Sequence, residues 1–192
     1  MMKIILGSAS PRRKKLLSDW GYEFEIISPK IDEKAVHSDD LRTLPLKVAA
    51  AKKEAVLKQI TEPAILITCD TIVLHNDQLY EKPKDESEAR KMLQSYGQSP
   101  VEVICGVTVT NTATGKSVHG TDSTKVYFHK IPHRLIEEMI QHGQIFDFAG
   151  AFHSGYVPQM PYIVHREGEE STVMGLPKAL TEKLMKEVQD EK

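Results

Sequence analysis

Two apolar patterns alternate along the 192-residue chain: short continuous runs, which predict strands, and spacings of three or four residues, which predict helices. The runs predict strands over 4–6, 24–27, 64–74, 79–82, 101–110, 117–129 and 162–164. The spacings predict helices over 11–20, 45–60, 85–97, 132–142 and 174–188. Because strands and helices alternate in the first half and strands dominate the middle, the sequence predicts an α/β fold with a mixed central β-sheet and flanking helices.

The first strand leads into the first helix through a turn rich in phosphate-binding groups, Gly7-Ser8-Ala9-Ser10-Pro11-Arg12-Arg13. Ser10 is a typical N-cap, and Pro11 suits the first helical position. A helix N-terminus attracts anions. Hydroxyl and guanidinium groups that bind phosphate are added by Ser8, Ser10, Arg12 and Arg13. The turn predicts a polyphosphate site; the alternative is an ordinary capped surface helix whose arginines are solvated.

Two charged residues fall where apolar residues are expected. Asp70 interrupts the most apolar run of the chain, and a buried carboxylate is costly unless it is paired, hydrogen-bonded or metal-bound. Asp70 is therefore a candidate functional residue; the alternative is a structural aspartate that caps a neighbouring loop. Lys52 lies one helical turn from both Val48 and Val56, on the face predicted to be buried. It needs a partner there; the alternative is a side chain that reaches water past the edge of that face.

A hairpin predicted after Leu74 returns a cation to the preceding strand. If Leu74 pairs with Leu79, Lys82 lies opposite Thr71, next to the candidate carboxylate. The alternative is an exposed lysine at the end of a strand. Farther along the chain, the loop 147–155 is dense in small residues, which allow close approach to a ligand or to another segment.

Composition narrows the ligand and the compartment. A formal net charge of -2 and a pI near 6.5 provide no global positive field for nucleic acid, so a small phosphorylated ligand is favoured over a polymer. The two cysteines, Cys69 and Cys105, lie inside apolar runs and are expected to be core thiols in a reducing compartment. No segment has signal-peptide or membrane-spanning length, and no zinc-binding spacing occurs. The sequence predicts a cytoplasmic protein without a membrane or nucleic-acid partner.

Several of these residues belong to a longer series of motifs. The series is Ser8-Ala9-Ser10-Pro11-Arg12-Arg13, Asp32-Glu33, Ala49-Ala50-Ala51-Lys52, Cys69-Asp70-Thr71-Ile72-Val73, Lys82-Pro83, Gly106-Val107, Ala149-Gly150-Ala151 and Gly175-Leu176-Pro177. In order and spacing it resembles the Maf family of nucleoside-triphosphate pyrophosphatases over nearly the whole chain. The resemblance depends on the combination, because any single motif is weak.

The resemblance implies a fold and a reaction. The fold is a single Maf-like domain over residues 1–192, with an elongated, two-lobed, ITPase-like architecture and a central cleft. The reaction is hydrolysis of a nucleoside triphosphate to the monophosphate and pyrophosphate with a divalent cation, Mg²⁺ or Mn²⁺, which removes unwanted nucleotides from the pool. The family often forms dimers, so a homodimer is a further expectation.

The resemblance also implies roles for individual residues. Asp70 matches the general base, and Glu33 matches an acidic residue near the metal and the catalytic water, so these two carboxylates are the expected metal ligands. Without the resemblance, Glu33 is better explained as a solvated loop acid. The phosphate-contacting positions are Ser8, Arg12, Arg13, Lys52 and Lys82. Base selection is linked to Arg12 and Thr71.

The chain departs from the family pattern in two places. After the third helix, the family's Ser-Gly-x-x-His turn is replaced by Tyr96-Gly97-Gln98-Ser99-Pro100, so the histidine of that turn has no counterpart.

The second departure is in the loop that begins at Ala149-Gly150. In the family, the subgroup linked to dTTP and UTP reads Ala-Gly-Ala-Tyr-Gly-Ile-Gln-Gly there, and the subgroup linked to 7-methyl-GTP reads Ala-Gly-Ser-Phe-Lys-Ser-Glu-Gly. This chain reads Ala149-Gly150-Ala151-Phe152-His153-Ser154-Gly155. Phe152 and Ser154 favour the second subgroup, but the discriminating Gln or Glu is missing, which leaves the base preference open. His153 either substitutes for it in part or is an exposed loop histidine.

Two classes of function fit the sequence. The leading hypothesis is a metal-dependent nucleotide pyrophosphatase, and the alternative is a non-catalytic nucleotide-binding regulatory protein linked to cell division. Asp70 favours the enzyme, because binding alone does not require a carboxylate inside a buried strand. An RNA-binding protein is disfavoured by the charge balance and by the lack of motifs that combine aromatic and basic residues.

Overall fold

The computed structural model describes residues 2–152 and 160–189. Its strands are β1 (Lys3–Leu6), β2 (Glu25–Ile26), β3 (Ala64–His75), β4 (Gln78–Leu79), β5 (Val101–Asn111), β6 (Ser117–Phe128) and β7 (Ile163–Glu167). Its α-helices are α1 (Pro11–Asp19), α2 (Leu44–Leu57), α3 (Glu86–Ser95), α4 (His133–His142), α5 (Glu170–Val173) and α6 (Lys178–Gln189). Short 3-10 turns lie at Glu33–Ala35, Leu41–Thr43, Gln144–Asp147, Ala149–Ala151 and Met160–Tyr162.

The strands form a seven-stranded sheet in the order β2-β1-β3-β5-β6-β7, and β4 pairs with β3. β1 runs parallel to both β2 and β3, whereas β4 is antiparallel to β3 and β7 is antiparallel to β6. The predicted α/β fold with a mixed sheet and flanking helices is therefore confirmed. Within the part of the chain that the structure describes, no helix is long and apolar enough to cross a membrane.

The chain divides into two compact units, each with its own apolar core. The first unit comprises Met1–Thr71, Cys105–Asp122 and Met174–Lys192, and its buried side chains include Leu6, Leu17, Ile67, Val107 and Leu184. The second comprises Ile72–Ile104 and Ser123–Val173, and its buried side chains include Leu93, Val101, Val126, Ile136 and Met139. Burial of such side chains contributes about 1.5–3 kcal/mol each relative to exposure. The single domain expected over residues 1–192 stays a prediction.

Local sequence sets where the first two helices begin. The Ser10 side chain accepts a hydrogen bond from the main-chain N–H of Arg13, and Pro11 is the first helical residue, as predicted for α1. α2 also carries a proline in its first turn, Pro45, and its buried face includes Val48 and Val56. The helix periodicity thus places Lys52 on the buried side of α2, as the sequence predicted.

The hairpin after β3 has the predicted register but a shorter returning strand. Leu74 pairs with Leu79, and the turn residues Asn76 and Asp77 have φ values of 52° and 57°. β4 nevertheless contains only two residues, instead of the predicted strand 79–82. The Tyr80 N–H still donates to the Val73 carbonyl at 2.8 Å, and beyond it the carbonyl of Glu81 accepts a hydrogen bond from the Gly150 N–H at 2.9 Å. The predicted alignment of Lys82 with Thr71 stays a prediction.

The C-terminal helix begins later than its apolar pattern suggests. The pattern predicts 174–188, whereas α6 spans Lys178–Gln189 and a separate short helix, α5, precedes it. Gly175 has a φ of 102°, which is outside the helical range, so it separates the two helices. The main-chain carbonyl of Pro177 then accepts a hydrogen bond from Thr181 at 3.0 Å in the first turn of α6.

Replacing Gly106 with alanine should destabilise the protein, because α2 packs directly on this residue of β5. A methyl group at Gly106 would lie 2.3 Å from the Leu46 nitrogen and 2.5 Å from the Leu46 Cα, and main-chain atoms cannot move away easily. We expect the free energy of unfolding in urea to fall by about 3 kcal/mol.

The matched control is Gly120→Ala, also on a strand of the first unit. Its methyl group would lie 2.9 Å from Leu180 Cδ1, the end of a flexible side chain. The cost should stay below about 1 kcal/mol. Equal losses in the two variants would contradict the importance of the contact between α2 and β5.

Candidate active site

The central feature of the site is one ammonium group shared by two carboxylates. Lys52 on α2 donates to Asp70 Oδ1 on β3 at 2.8 Å, and its Nζ lies 2.9 Å from Glu33 Oε1. Glu33 begins the short turn Glu33–Ala35, whose N-cap is the side chain of Asp32. The structure thus brings together three residues that the sequence identified separately.

Burial makes this arrangement specific. Lys52 is only 4% exposed and Asp70 9%, whereas the Glu33 side chain is 53% exposed. A buried ammonium group without a partner would be strongly unfavourable, so the two carboxylates explain how Lys52 is accommodated inside. The predicted alternative, in which Lys52 reaches water past the edge of the helix face, is therefore wrong.

The same carboxylates provide oxygen atoms that can bind a divalent cation. Neither Asp70 Oδ2 nor Glu33 Oε2 makes a hydrogen bond with a described residue. Within residues 2–152 and 160–189, no group of three His, Cys, Asp or Glu side chains is arranged to hold a metal ion. Two hard oxygen donors suit Mg²⁺ or Mn²⁺, ions that complete their shells with water and substrate phosphate oxygens rather than with a full protein cage.

The turn before α1 presents the Ser8 hydroxyl as a donor. Ser8 Oγ accepts hydrogen bonds from the Ser10 N–H and from Arg13 Nη1, both at 3.2 Å. Because the oxygen already accepts twice and its own hydrogen has no acceptor among the described residues, that hydrogen can be donated to a phosphate oxygen. Ser10 Oγ in turn caps α1. Ser8 and Ser10 as substrate contacts stay predictions.

Arg13 points into the protein and connects three segments of the first unit. It is 8% exposed, and it donates from Nε to the Gly175 carbonyl at 2.9 Å and from Nη2 to Thr71 Oγ1 at 3.0 Å, besides its bond to Ser8. Burial by itself lowers the pKa of this guanidinium, but nearby acidic groups outweigh it and raise the pKa. These groups are Cys69, Asp70, Cys105 and Glu33. Arg13 is therefore a buried cation fixed by protein acceptors, and its predicted phosphate contact stays a prediction.

Arg12 lies beside this network and is partly buried. Burial, and then the positive charge of Arg13, lower the pKa of the Arg12 guanidinium. Two adjacent guanidinium groups in one turn create a local positive potential in a protein whose net charge is slightly negative. The predicted roles of Arg12 in phosphate contact and base selection remain predictions that this electrostatic environment supports.

Two residues at the site were not among the predicted site residues. The carbonyl of Gly175 accepts from Arg13 and lies 3.4 Å from Thr71 Oγ1, and Cys105 Sγ lies 3.1 Å from the same hydroxyl. The motif Gly175-Leu176-Pro177 was noticed in the sequence, but a contribution made by a main-chain carbonyl has no side-chain signature. Thr71 is thus held from several sides, and its link to base selection stays a prediction.

The remaining predicted site residues belong to the second unit or lie outside the described residues. Lys82 follows the shortened strand β4, and its side chain is exposed. It forms no ion pair with a residue that the structure describes. His153 lies outside the described residues, so its role stays as open as the sequence left it.

Comparison with known proteins identifies the family. A family model described as Maf-like protein matches residues 3–188. The chain belongs to the Maf-like protein family. The resemblance inferred from the sequence motifs is therefore confirmed.

The Maf-like chain is similar to proteins with named activities. It is 40% identical over 192 residues to a 7-methyl-GTP pyrophosphatase of Dictyostelium discoideum, covering 96% of this chain and 96% of that protein. It is 32% identical to a dTTP/UTP pyrophosphatase of Vibrio vulnificus (strain YJ016), covering 97% of this chain and 99% of that protein. A dTTP/UTP pyrophosphatase of Thermoanaerobacter sp. (strain X514) is 36% identical, with 92% of this chain and 91% of that protein covered.

The Lys52 site should contribute to stability. Lys52→Met removes the ammonium group and leaves the buried Asp70 carboxylate without its partner, so we expect the free energy of unfolding to fall by about 3 kcal/mol. Urea titration measures this loss. Adding Asp70→Asn to Lys52→Met should restore part of the stability, because the buried negative charge is then removed as well.

The neighbouring Lys53→Met is the matched control. Lys53 pairs at 2.9 Å with Glu54, and the two side chains are 19% and 65% exposed. Because methionine keeps the packing of the lysine stem and Glu54 stays solvated, the loss of this pair should cost less than about 1 kcal/mol. If the two lysine variants have the same free energy of unfolding, the buried ion pair contributes no more to stability than the control pair does.

The core thiols of the Maf-like chain should resist alkylation. Burial raises the pKa of Cys105 to about 12 and also raises the pKa of Cys69, so both thiols stay protonated at pH 8. We expect maleimide to label them about a thousandfold more slowly in the native protein than in the urea-unfolded chain. Ser18→Cys, on the exposed side of α1, should label as fast as a small thiol. Rapid labelling of Cys69 or Cys105 at that rate would show that the thiols are accessible.

Proposed function

We propose that this chain is a nucleotide pyrophosphatase that hydrolyses a nucleoside triphosphate to the monophosphate and pyrophosphate and so removes unwanted or modified nucleotides. The observation that carries the proposal is the pair of carboxylates, Asp70 and Glu33, on the shared ammonium group of Lys52. The predicted enzyme class is confirmed by the relatives, which are named pyrophosphatases and match nearly the whole chain.

Asp70 supplies the general base. In the proposed reaction, a bond forms between a water oxygen and the α-phosphorus while the bond from the α-phosphorus to the oxygen bridging toward the β-phosphorus breaks. The water proton passes to the Asp70 carboxylate. Lys52 holds Oδ1 of this carboxylate at 2.8 Å, which fixes the orientation of the base.

Positive charge and hydroxyl donors stabilise the charge that develops on phosphate oxygens. Ser8 offers its hydroxyl hydrogen, and Arg12 offers a guanidinium group in the same turn. Lys52 contributes a buried ammonium group. Lys82, whose side chain is exposed, is a further proposed phosphate contact carried over from the family resemblance. These cations stabilise the negative charge that develops on the leaving pyrophosphate.

A divalent cation fits the donor atoms of the proposed site. Asp70 and Glu33 would hold Mg²⁺ or Mn²⁺, and the bound ion would neutralise charge on the phosphate oxygens. The half-exposed Glu33 side chain is compatible with an ion that keeps several waters.

The base preference divides the relatives. The Dictyostelium protein is named for 7-methyl-GTP and the bacterial ones for dTTP and UTP. The missing Gln or Glu after Gly150 removes the side chain that separates the two subgroups, so the preferred base is a result to be measured. The homodimer and the cytoplasmic location likewise remain expectations from the sequence.

Pyrophosphate release should depend on both a divalent cation and Asp70. We would assay standard nucleoside triphosphates and 7-methyl-GTP with Mg²⁺ and with Mn²⁺, and we expect release from a subset of bases that chelation with EDTA abolishes. Asp70→Asn should lower kcat by at least about a hundredfold, because proton transfer to a positioned base is lost.

Asp19→Asn serves as the control, since Asp19 is an exposed residue of α1 paired only with Lys15 among its described neighbours. It should retain the activity of the unchanged protein. If no triphosphate is hydrolysed while nucleotide still binds, the chain is a non-catalytic nucleotide-binding protein, and the proposed reaction is wrong.

A further inference from the structure

The turn at Gly150 is held by a tyrosine from outside the predicted site. Tyr96 follows the last residue of α3 and is 1% exposed, and its hydroxyl donates a hydrogen bond to the main-chain carbonyl of Gly150. Tyr96 stands in the turn where this chain departs from the family pattern. Burial raises the pKa of the Tyr96 hydroxyl, so it stays protonated and remains a donor.

The geometry of the turn makes this contact specific. Gly150 and Ala151 both have positive φ values, 67° and 52°, a conformation that is uncommon for a residue with a side chain. A methyl group on Gly150 would lie 2.7 Å from the Tyr96 hydroxyl oxygen and 3.1 Å from Val73 Cγ1. The main chain of the turn is therefore pressed against Tyr96, with no space for a larger residue.

Aromatic packing fixes the tyrosine itself. The ring of Tyr96 stacks on Phe128 with 5.0 Å between centroids, and Phe128 meets Phe152 edge to face at 5.0 Å. His75 packs edge to face on Tyr96 at 5.4 Å, and its two ring nitrogens lie 3.3 Å from the main-chain carbonyl oxygens of Pro100 and Ser95. Tyr96 thus has little freedom to move away from Gly150.

The turn at Gly150 is hydrogen-bonded to the segment that carries Lys82. The Gly150 N–H donates to the carbonyl of Glu81 at 2.9 Å, and Pro83 on the other side of Lys82 is buried. The main chain is therefore held on both sides of an exposed lysine that forms no ion pair with a described residue. Because the main chain around Lys82 is already fixed, only the side chain has to be ordered when the ammonium group binds an anion.

We propose that Tyr96 is a positioning residue for the phosphate contact of Lys82, acting through the hydrogen bonds from its hydroxyl to Gly150 and from Gly150 to Glu81. The inference rests on the proposed function, in which Lys82 binds a phosphate of the nucleotide. It adds a residue that does not touch substrate and that belongs to this chain's own version of the turn after α3.

A double-mutant cycle tests whether Tyr96 acts through Lys82. Tyr96→Phe removes only the hydroxyl oxygen and should lower kcat/KM for the best nucleotide by about tenfold, and Lys82→Ala by about a hundredfold. In the Lys82→Ala background, Tyr96→Phe should change kcat/KM by less than about twofold, because the group that it positions is gone. An equal loss in both backgrounds would show a general structural effect and overturn the proposal.

Tyr80→Phe is the matched control in the same aromatic cluster. The Tyr80 hydroxyl contacts Ser95 Oγ at 3.3 Å and not the Gly150 carbonyl, so this variant should keep kcat/KM within about twofold of the unchanged protein. A loss equal to that of Tyr96→Phe would assign the effect to the cluster as a whole and contradict a specific role for Tyr96.

Amide hydrogen exchange provides a readout that does not depend on turnover. Without the Tyr96 hydroxyl, the Gly150 N–H should exchange faster by about tenfold, while the amides of α3 keep their protection. Unchanged exchange at Gly150 would overturn the proposal, because the hydroxyl would then not stabilise the turn. Failure of Tyr96→Phe to fold would also overturn it, because the hydroxyl would then support the whole second unit rather than the turn. If the unchanged protein hydrolyses no nucleotide, the proposed function fails instead, and the exchange result still reports on the contact.

Discussion

The site depends on a buried ammonium group that has two carboxylate partners. Lys52 can occupy the inner face of α2 because Asp70 and Glu33 compensate its positive charge. In turn, Asp70 can occupy a buried strand because Lys52 compensates its negative charge. The charges of Lys52 and Asp70 are therefore mutually required, and the half-exposed Glu33 adds a second partner for the ammonium group. This explains how polar chemistry is placed inside an apolar core without unfolding it, and why the close packing of α2 on Gly106 matters for the position of the lysine.

A second buried cation organises the surroundings of this site. Arg13 joins the Ser8 turn, Thr71 and the Gly175 carbonyl, which come from distant parts of the chain. A planar guanidinium group with several donors can bind three acceptors in different directions, which a lysine could not do in the same way. Arg13 and Lys52 thus have complementary tasks: one fixes the main chain and hydroxyl groups, and the other orients the carboxylates.

The sequence predicts the features that depend on local periodicity, and it fails where long-range contacts decide. The mixed sheet, the inward position of Lys52 and the functional interest of Asp70 follow from apolar patterns and from the cost of buried charge. Glu33 lies in an irregular segment, where no periodicity constrains its position, so only the family resemblance marked it. The hydrogen bond from the Gly150 N–H to the Glu81 carbonyl, just past the end of β4, joins residues far apart in sequence, so no local pattern predicts it. The inward direction of Arg13 depends on the Gly175 carbonyl, and a carbonyl leaves no trace in residue type.

The two hydrogen bonds accepted by Ser8 Oγ give this hydroxyl a fixed polarity. With its acceptor capacity used by Ser10 and Arg13, it can only donate. A ligand atom placed there must therefore carry a lone pair, and a group that presents its own hydrogen, such as an amide N–H, would meet no acceptor and would lose its bond to water. For the design of inhibitors, this favours phosphonate or sulfonate groups over amides at this position.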